Sequence, residues 1–412
     1  MASNKKQVIM LYFSSLAGMM IGMISSVINT RALPPEQYGD VRYIQNIISF
    51  VSSLLLFGYF VSGSRLLALS KDEIYSRRIR GAMCAILGAT QLVLMIVMFC
   101  LYLWNDYHGN DISYLYLISI PVCGNVIMLN YINTTAQGDN HIGRISIARM
   151  LPTLIYIIVA LCIYKLYAAT PAIMLLLYNG IAVITLLSII ISTKPIFKDL
   201  KQSFLILNKE NKSYGFNVYL GSITAVSTGY LAGISLGMFC DTNAEVGFYT
   251  LALTLSSPLS MLPSIIGTTH FKRFANENKI DRKIIVGSIS ITVLSLILYV
   301  LFIKYIVAFL YDDNYSSVST IASLLAIGVS IHGFGDMLNR FLGAHGKGKE
   351  LRNAAFACGT ILVFGNIVFV YLWGINGAII TKILSSLTYF TILLYYYCKY
   401  IKINNYEHNE TI

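Results

Sequence analysis

One uncharged stretch of the sequence decides the fold class: residues 171–192 read PAIMLLLYNGIAVITLLSIIIS. A helix crosses the bilayer core of about 30 Å with about 20 apolar residues, so this stretch is long enough for one membrane span. Its apolar residues are continuous rather than alternating, which predicts a helix and not a strand of a barrel. Eleven further stretches have the same character, and the twelve predicted spans are 8–29, 42–64, 82–104, 113–135, 147–166, 171–192, 216–238, 247–270, 284–310, 318–342, 353–373 and 376–398.

The composition excludes a soluble protein. The chain is 56% hydrophobic and 12% charged, whereas an average soluble domain has about 25% charged residues. Backbone polar groups that lie in lipid must be paired within their own span. The sequence therefore predicts an all-α membrane protein with 12 transmembrane helices.

The two halves of the chain repeat each other. Four residues near span ends recur 208 positions further on: Gly39 and Gly247, Arg65 and Arg273, Ala136 and Ala344, Gly138 and Gly346. Six spans return the chain to its starting side, so the repeats enter the membrane in the same sense, related by an axis along the membrane normal. We expect two pseudo-symmetric parallel six-helix lobes around a central cavity.

Positive charge is concentrated on one predicted face of the membrane. The basic positions there include Lys5, Lys6, Lys71, Arg77, Arg78, Arg80, Arg144, Lys399, Lys402 and the lysines and arginines of 194–212, 272–283 and 347–352. The positive-inside rule makes this face cytoplasmic, so both termini are expected on the cytoplasmic side of the membrane. A net charge of +11 would suggest nucleic acid in a soluble protein, but here topology accounts for it. We expect no nucleic-acid partner.

These assignments predict the organisation of the chain. The N-lobe is 1–192, a cytoplasmic linker is 193–215, the C-lobe is 216–399 and a cytoplasmic tail is 400–412. Residues 204–207 of the linker are apolar and lie among lysines. They fit either an amphipathic helix on anionic lipid or an ordinary tether.

Two prolines, Pro258 and Pro263, lie inside predicted helix 8. Each removes a backbone donor and bends its helix. We interpret this helix as a hinge that bends during a transport cycle. The alternative is a static kink that only shapes a cavity.

Three ionisable residues lie on one face of predicted helix 10. His332, Asp336 and Arg340 follow one another at spacings of four, which stacks them along the helix. A charge inside a bilayer costs at least about 2.5–3.5 kcal/mol, so such residues normally face water or a partner. One interpretation is a group that titrates or binds a coupling ion. The other is an internal ion pair between Asp336 and Arg340, with His332 bonded to a neighbouring helix.

Further arginines lie at or just inside span ends. Arg65 and Arg273 end predicted helices 2 and 8 at repeat-related positions, and Arg149 lies in helix 5. Each fits a positive-inside anchor. Guanidinium groups also bind phosphate oxygens bidentately, so the alternative is a site for a sugar carried on pyrophosphate. The four candidates for that site are Arg65, Arg149, Arg273 and Arg340.

The sequence contains no catalytic or cofactor motif. Phosphate-loop, H-E-x-x-H and G-x-S-x-G patterns are absent, and the seven cysteines have no C-x-x-C spacing. Neither a metal site nor a disulfide framework is indicated. We expect a protein that is not an enzyme and that uses no cofactor and no metal.

A motif between predicted helices 1 and 2 resembles a known family. Residues 31–39 read RALPPEQYG, in which Arg31, Tyr38 and Gly39 match the R-x-L-x-x-x-x-Y-G signature of Wzx-type O-antigen flippases. These flippases form part of the polysaccharide-exporter branch of the multidrug/oligosaccharidyl-lipid/polysaccharide superfamily. Residues 245–249 read EVGFY and resemble the family's corresponding turn before helix 8, with Gly247 at the matching position.

The resemblance implies a transport function in O-antigen, lipopolysaccharide or other polysaccharide biosynthesis. Members of the family move undecaprenyl-pyrophosphate-linked sugar units from the cytoplasmic to the periplasmic leaflet by alternating access. The implied ligands are a lipid-linked oligosaccharide and membrane lipids, and the implied partners are a polysaccharide polymerase and a chain-length regulator.

Two other classes remain open. A drug or cation antiporter of the same fold is one, although predicted helix 1 has no intramembrane carboxylate for ion coupling. A membrane polysaccharide polymerase or ligase is the other, although the predicted outer connections are too short to hold a catalytic loop.

Overall fold

The protein folds into two compact units. The structure is a computed structural model that describes residues 2–166 and 169–409, without the side chains of 2–16, 142, 165–166, 221–228, 272 and 403–409. Unit 1 comprises Met1–Tyr230 and unit 2 comprises Leu231–Ile412. The described parts of the chain contain no strand. The end of the predicted tail, 410–412, lies outside the described residues.

Helices make up both units. Unit 1 contains α1 (Ala2–Ala32), α2 (Pro35–Leu54), α3 (Tyr59–Leu69), α4 (Glu73–Tyr107), α5 (Ser113–Ser119), α6 (Asn125–Gly138), α7 (Ile142–Leu166), α8 (Pro171–Ser192) and α9 (Leu200–Glu210). The boundary between the units lies inside α10 (Phe216–Phe239). Unit 2 continues with α11 (Ala244–Thr269), α12 (Phe271–Phe274), α13 (Arg282–Leu310), α14 (Val318–Ala344) and α15 (Gly348–Asn409).

The helices confirm a multi-pass membrane protein. Among the described residues, eight helices are long and apolar enough to cross a membrane, and the bent pair α2 and α3 makes a ninth. α15 contains a break at Gly374, where φ is 52°, so it covers two predicted spans. Each of the twelve predicted spans is mainly helical in the described chain, and the predicted all-α fold class is confirmed.

The second predicted span, 42–64, is not one continuous helix as expected. α2 and α3 meet at 59°, across a break in which Phe57 and Gly58 have φ angles of 45° and 80°. Left-handed backbone costs a residue with a side chain about 1–2 kcal/mol. These two residues end α2 before its apolar run is complete, and the structure corrects the prediction of a single helix.

The linker packs onto this break. Asn211 accepts a hydrogen bond from Ser62 Oγ at 3.0 Å and donates from Nδ2 to the carbonyl of Phe57 at 3.1 Å. The hydroxyl of Tyr219 donates to the carbonyl of Leu54 at 2.7 Å. Carbonyl groups at the end of a helix lack partners within the helix. The linker and the start of α10 therefore satisfy backbone groups that the break in the second span leaves unpaired.

The linker helix α9 has two different faces. Leu207 is fully buried within unit 1, whereas Phe204 and Leu205 are 43% and 59% exposed. α9 lies against α3 and α4. Of the two alternatives for this segment, the structure supports the amphipathic helix, and its exposed apolar side chains are suited to a lipid surface.

Prolines have different effects in different spans. Pro121 lies in a short helical turn, Ile120–Val122, that separates α5 from α6. Pro258 and Pro263 both lie within α11, which continues through them. A hinge at Pro258 and Pro263 stays a prediction.

Aromatic side chains form a core in unit 2. Phe274 and Phe341 are fully buried, with ring centroids 5.5 Å apart, and Tyr397 contacts Phe341 edge-on at 5.0 Å. The hydroxyl of Tyr397 accepts a hydrogen bond from the backbone N–H of Ile280 at 3.0 Å. This cluster attaches α12 and the segment after it to α14 and α15.

Candidate functional site

Four of the ionisable and polar side chains of α14 and α15 form a cluster in unit 2. The His332 ring stacks on the Tyr389 ring, with centroids 4.7 Å apart and planes at 21°. The Tyr389 hydroxyl donates to Asp336 Oδ1 at 3.4 Å and accepts from Asn339 Nδ2 at 2.9 Å. Tyr389 therefore connects the predicted residues His332 and Asp336 to each other.

Two cations act on the carboxylate of this cluster. The charges of Arg340 and Lys382 both interact electrostatically with Asp336, without a direct ion pair in the described chain. The charge of Lys382 also acts on His332. The sequence alone does not assign Lys382 to the cluster, because Lys382 lies in predicted helix 12, two spans after helix 10, and could equally reach toward headgroups.

Several buried polar atoms of α14 and α15 lack a hydrogen-bond partner among the described residues. They are Ser330 Oγ, His332 Nδ1, Asn366 Nδ2, Asn366 Oδ1 and Ser386 Oγ. Buried polar groups are normally paired with protein or ordered water. These helices of unit 2 can therefore hydrogen-bond to water or to an ion. No group of three or more His, Cys, Asp or Glu suited to a metal occurs in the described parts of the chain.

The two repeat-related arginines are ion-paired within their own units. Arg65 Nη1 lies 2.6 Å from Glu210 Oε1. Arg273 contacts Glu277 at 2.7 Å and Asp281 at 3.1 Å. Both arginine side chains are about half exposed. The hydrogen bond and charge of Glu277, followed by those of Asp281, raise the pKa of Arg273.

The other two candidate arginines have no carboxylate bound to them. Arg149 of α7 and Arg340 of α14 are exposed on the surfaces of their units. Neither forms an ion pair in the described chain, although Arg340 lies within electrostatic range of Asp336. Of the four arginines, these two have guanidinium groups available to an external anion.

The residues of the family motif have structural roles in α1, α2 and α11. Arg31 is in the last turn of α1, where a cation stabilises the helix dipole. Gly39 and Gly247 are buried near the starts of α2 and α11. Tyr38 is 1% exposed, and its hydroxyl accepts a hydrogen bond from Arg42 Nε at 2.9 Å.

The sequence does not single out Arg42. It stands at the first position of the predicted span 42–64, where a basic residue is indistinguishable from a boundary charge. In the structure it lies inside α2, with its guanidinium 5.1 Å from the centroid of the Tyr38 ring. Its Nη1 donates to Gln45 Oε1 at 2.9 Å.

A family model described as "Polysaccharide biosynthesis protein" matches residues 5–276, about two thirds of the chain. The chain belongs to this family. The membership agrees with the resemblance to proteins of polysaccharide biosynthesis, and the apolar helices make this polysaccharide biosynthesis family protein a multi-pass membrane protein.

A curated relative and several solved structures are similar to this polysaccharide biosynthesis family protein at low sequence identity. An uncharacterized membrane protein of Methanocaldococcus jannaschii is 21% identical over 84% of this chain and 74% of its own length. The lipid II flippase MurJ in an inward closed conformation is similar with a TM-score of 0.71 and 14% identity, over 94% of this chain and 87% of that one. An inward-facing multidrug resistance MATE family transporter of the MOP superfamily gives a TM-score of 0.69 at 14% identity, over 93% and 96%.

Proposed function

We propose that the protein moves lipid-linked oligosaccharides from the cytoplasmic to the periplasmic leaflet of the bacterial inner membrane by alternating access. The cargo class is O-antigen or a related oligosaccharide on undecaprenyl pyrophosphate. Family membership and the fold support a transporter of this superfamily. The observation that carries the proposal is that Arg149 and Arg340 lie within helices of membrane-spanning length and form no ion pair in the described chain.

The chemistry of this cargo explains why such arginines would be needed. A glycan and a pyrophosphate cannot enter hydrocarbon unaided, whereas the polyprenyl tail stays in lipid throughout. A guanidinium group binds phosphate oxygens through parallel N–H donors. Arg149 and Arg340 are the proposed phosphate contacts. Arg65 and Arg273 would reach a phosphate only by giving up their carboxylate partners, so we propose that they contribute less.

Leaflet exchange by the reconstituted protein tests this assignment. Arg149→Ala and Arg340→Ala should each slow the exchange of a fluorescent pyrophosphate-linked oligosaccharide by about 10–100-fold, because a charge-assisted hydrogen bond contributes roughly 1.5–3 kcal/mol. Arg65→Ala and Arg273→Ala serve as matched arginine variants and should show smaller losses. Equal losses in all four variants would contradict the division between paired and unpaired arginines. A wild-type rate no faster than that of empty vesicles would refute the function itself.

The cluster around Asp336 is the proposed coupling site. A carboxylate between two cations, in contact with Tyr389 and close to His332, can exchange a proton or hold a small cation when the unit changes state. The alternative class, a drug or cation antiporter, would use the same cluster. Transport of the pyrophosphate-linked cargo distinguishes the two.

Asp336→Asn should slow ion-gradient-driven exchange by at least about tenfold, which corresponds to about 1.4 kcal/mol. The substitution keeps the shape of the side chain and its contact with Tyr389 but removes the titrating charge. Asp313→Asn alters an exposed carboxylate outside α14 and is the matched control. An unchanged rate in Asp336→Asn would indicate that consumption of the product outside the cell, and not an ion gradient, drives transport.

A further inference from the structure

Arg42 places a positive charge in unit 1 without a carboxylate to balance it. Its hydrogen-bond partners are the hydroxyl of Tyr38 and the amide oxygen of Gln45, each at 2.9 Å. The other groups that act on it are the phenols of Tyr156 and Tyr178. Among the described residues, no hydrogen bond or ion pair joins Arg42 to an Asp or Glu. A charge within a membrane span normally faces water or an opposite charge, so we expect an anion from outside the protein to balance Arg42.

Four helices build the surroundings of this guanidinium. Tyr38 is on α2, while Tyr156 of α7 and Tyr178 of α8 meet edge to face with centroids 5.2 Å apart. The Tyr156 hydroxyl donates to the side-chain oxygen of Asn29 on α1. Tyr38 and Tyr156 are each 1% exposed, whereas Arg42 is partly accessible. The buried side chains of Tyr38 and Tyr156 therefore pack around Arg42, which itself stays partly accessible.

The guanidinium still has donors to offer. Arginine has five N–H groups in a planar fork, and the two hydrogen bonds above use one on Nε and one on Nη1. The remaining donors are one N–H on Nη1 and two on Nη2, and N–H groups of this kind can bind a carboxylate through two parallel hydrogen bonds.

The composition of the site distinguishes between two kinds of anion. A pyrophosphate carries several negative charges and is usually met by several cations, whereas the groups that contact Arg42 are a phenol and an amide. A sugar with a carboxylate carries one charge, and its hydroxyls suit the neighbouring phenols and amides. Resting on the proposed function, we propose that Arg42 is a specificity-determining residue that binds the carboxylate of an acidic sugar in the lipid-linked cargo.

Binding to the purified full-length protein tests this without requiring transport. The probes are two farnesyl-pyrophosphate-linked disaccharides that differ only in the outer sugar, glucuronic acid in one and glucose in the other. The wild-type protein should bind the acidic probe at least about tenfold more tightly, a difference of about 1.4 kcal/mol. Arg42→Gln should lower affinity for the acidic probe at least about tenfold more than for the neutral one.

Two further variants separate binding from folding. Arg42→Lys keeps the charge but loses the planar fork, so it should retain part of the preference. Tyr38→Phe removes only the hydroxyl that orients Arg42 and should reduce the preference less than Arg42→Gln. Each variant is compared with the wild type by size exclusion and thermal unfolding.

The outcomes separate failure of this inference from failure of the proposed function. Equal binding of the two probes by the wild type would overturn the role of Arg42 alone. An Arg42→Gln variant that weakens both probes equally would also overturn it and would instead indicate a phosphate contact. If neither probe binds, both the specificity role and the flippase assignment fail.

Discussion

Asp139→Ala should lower the free energy of unfolding by about 3–5 kcal/mol, because it leaves a buried guanidinium without its main partner. Asp139 Oδ1 lies 3.0 Å from Arg80 Nη2, and the two side chains are only 7% and 9% exposed. Asp139 Oδ2 also lies 3.3 Å from Arg144 Nη1. Thermal and denaturant unfolding in one detergent would measure the loss.

The matched control removes the other carboxylate bound to the same arginine. Glu73 contacts Arg80 at 3.1 Å but is 71% exposed, so Glu73→Gln should cost less than about 1 kcal/mol. The double variant Arg80→Met with Asp139→Leu removes both charges of the pair and should recover part of the loss. Similar effects of Asp139→Ala and Glu73→Gln would mean that water screens the pair and that it does not hold α4 to the turn after α6.

Gly58→Ala should destabilise unit 1 and release the linker. A Cβ at Gly58 would lie 2.3 Å from the carbonyl oxygen of Gly215 and 2.8 Å from the backbone nitrogen of Phe216. Both are backbone atoms, which cannot rotate away as a side chain can. Left-handed backbone adds about 1–2 kcal/mol and an overpacked contact about 1–3 kcal/mol. Trypsin should then cleave at the linker lysines faster than in the wild type.

Gly109→Ala is the control that separates the steric contact at Gly58 from the cost of the left-handed backbone. Gly109 has a φ of 68°, close to the 80° of Gly58, but a Cβ there would meet nothing within 4 Å. Gly109→Ala should lower the free energy of unfolding only by the cost of the left-handed backbone. Trypsin cleavage of the linker should be unchanged. If the two variants lose equal stability, the contact between Gly58 and Gly215 does not fix the linker.

The sequence predicts the helices of this fold well because each span is long and uniformly apolar. It does not predict the break between α2 and α3. The residues around Phe57 and Gly58 are as apolar as their neighbours, and hydropathy carries no information on φ. Gly58 is a local indication of the break. A single glycine in a membrane helix is common, however, and does not by itself predict a break. The packing of Asn211 on this break joins segments about 150 residues apart, which no local pattern reveals.

The sequence predicts the roles of the charged residues less well than it predicts the helices. Arg80 has the sequence signature of a cytoplasmic anchor, yet it is buried and bound to Asp139. The repeat-related positions of Arg65 and Arg273 suggest a substrate site. In the structure, however, each arginine is ion-paired with a carboxylate. Tertiary contacts determine whether the charge of an arginine is neutralised by a nearby carboxylate. Only an arginine without such a carboxylate can readily bind an anion from outside the protein.

The attachment of Asn211 and Tyr219 to α2 and α3 has a consequence for chimaeras between relatives. An exchange of halves with the junction at residue 193 would separate the linker from the helix ends it caps and leave the carbonyls of Phe57 and Leu54 unpaired. Donor segments that run through Tyr219 would carry these contacts with them. Residue 193 is therefore a poor crossover point, and recombined proteins should tolerate a junction further along α10.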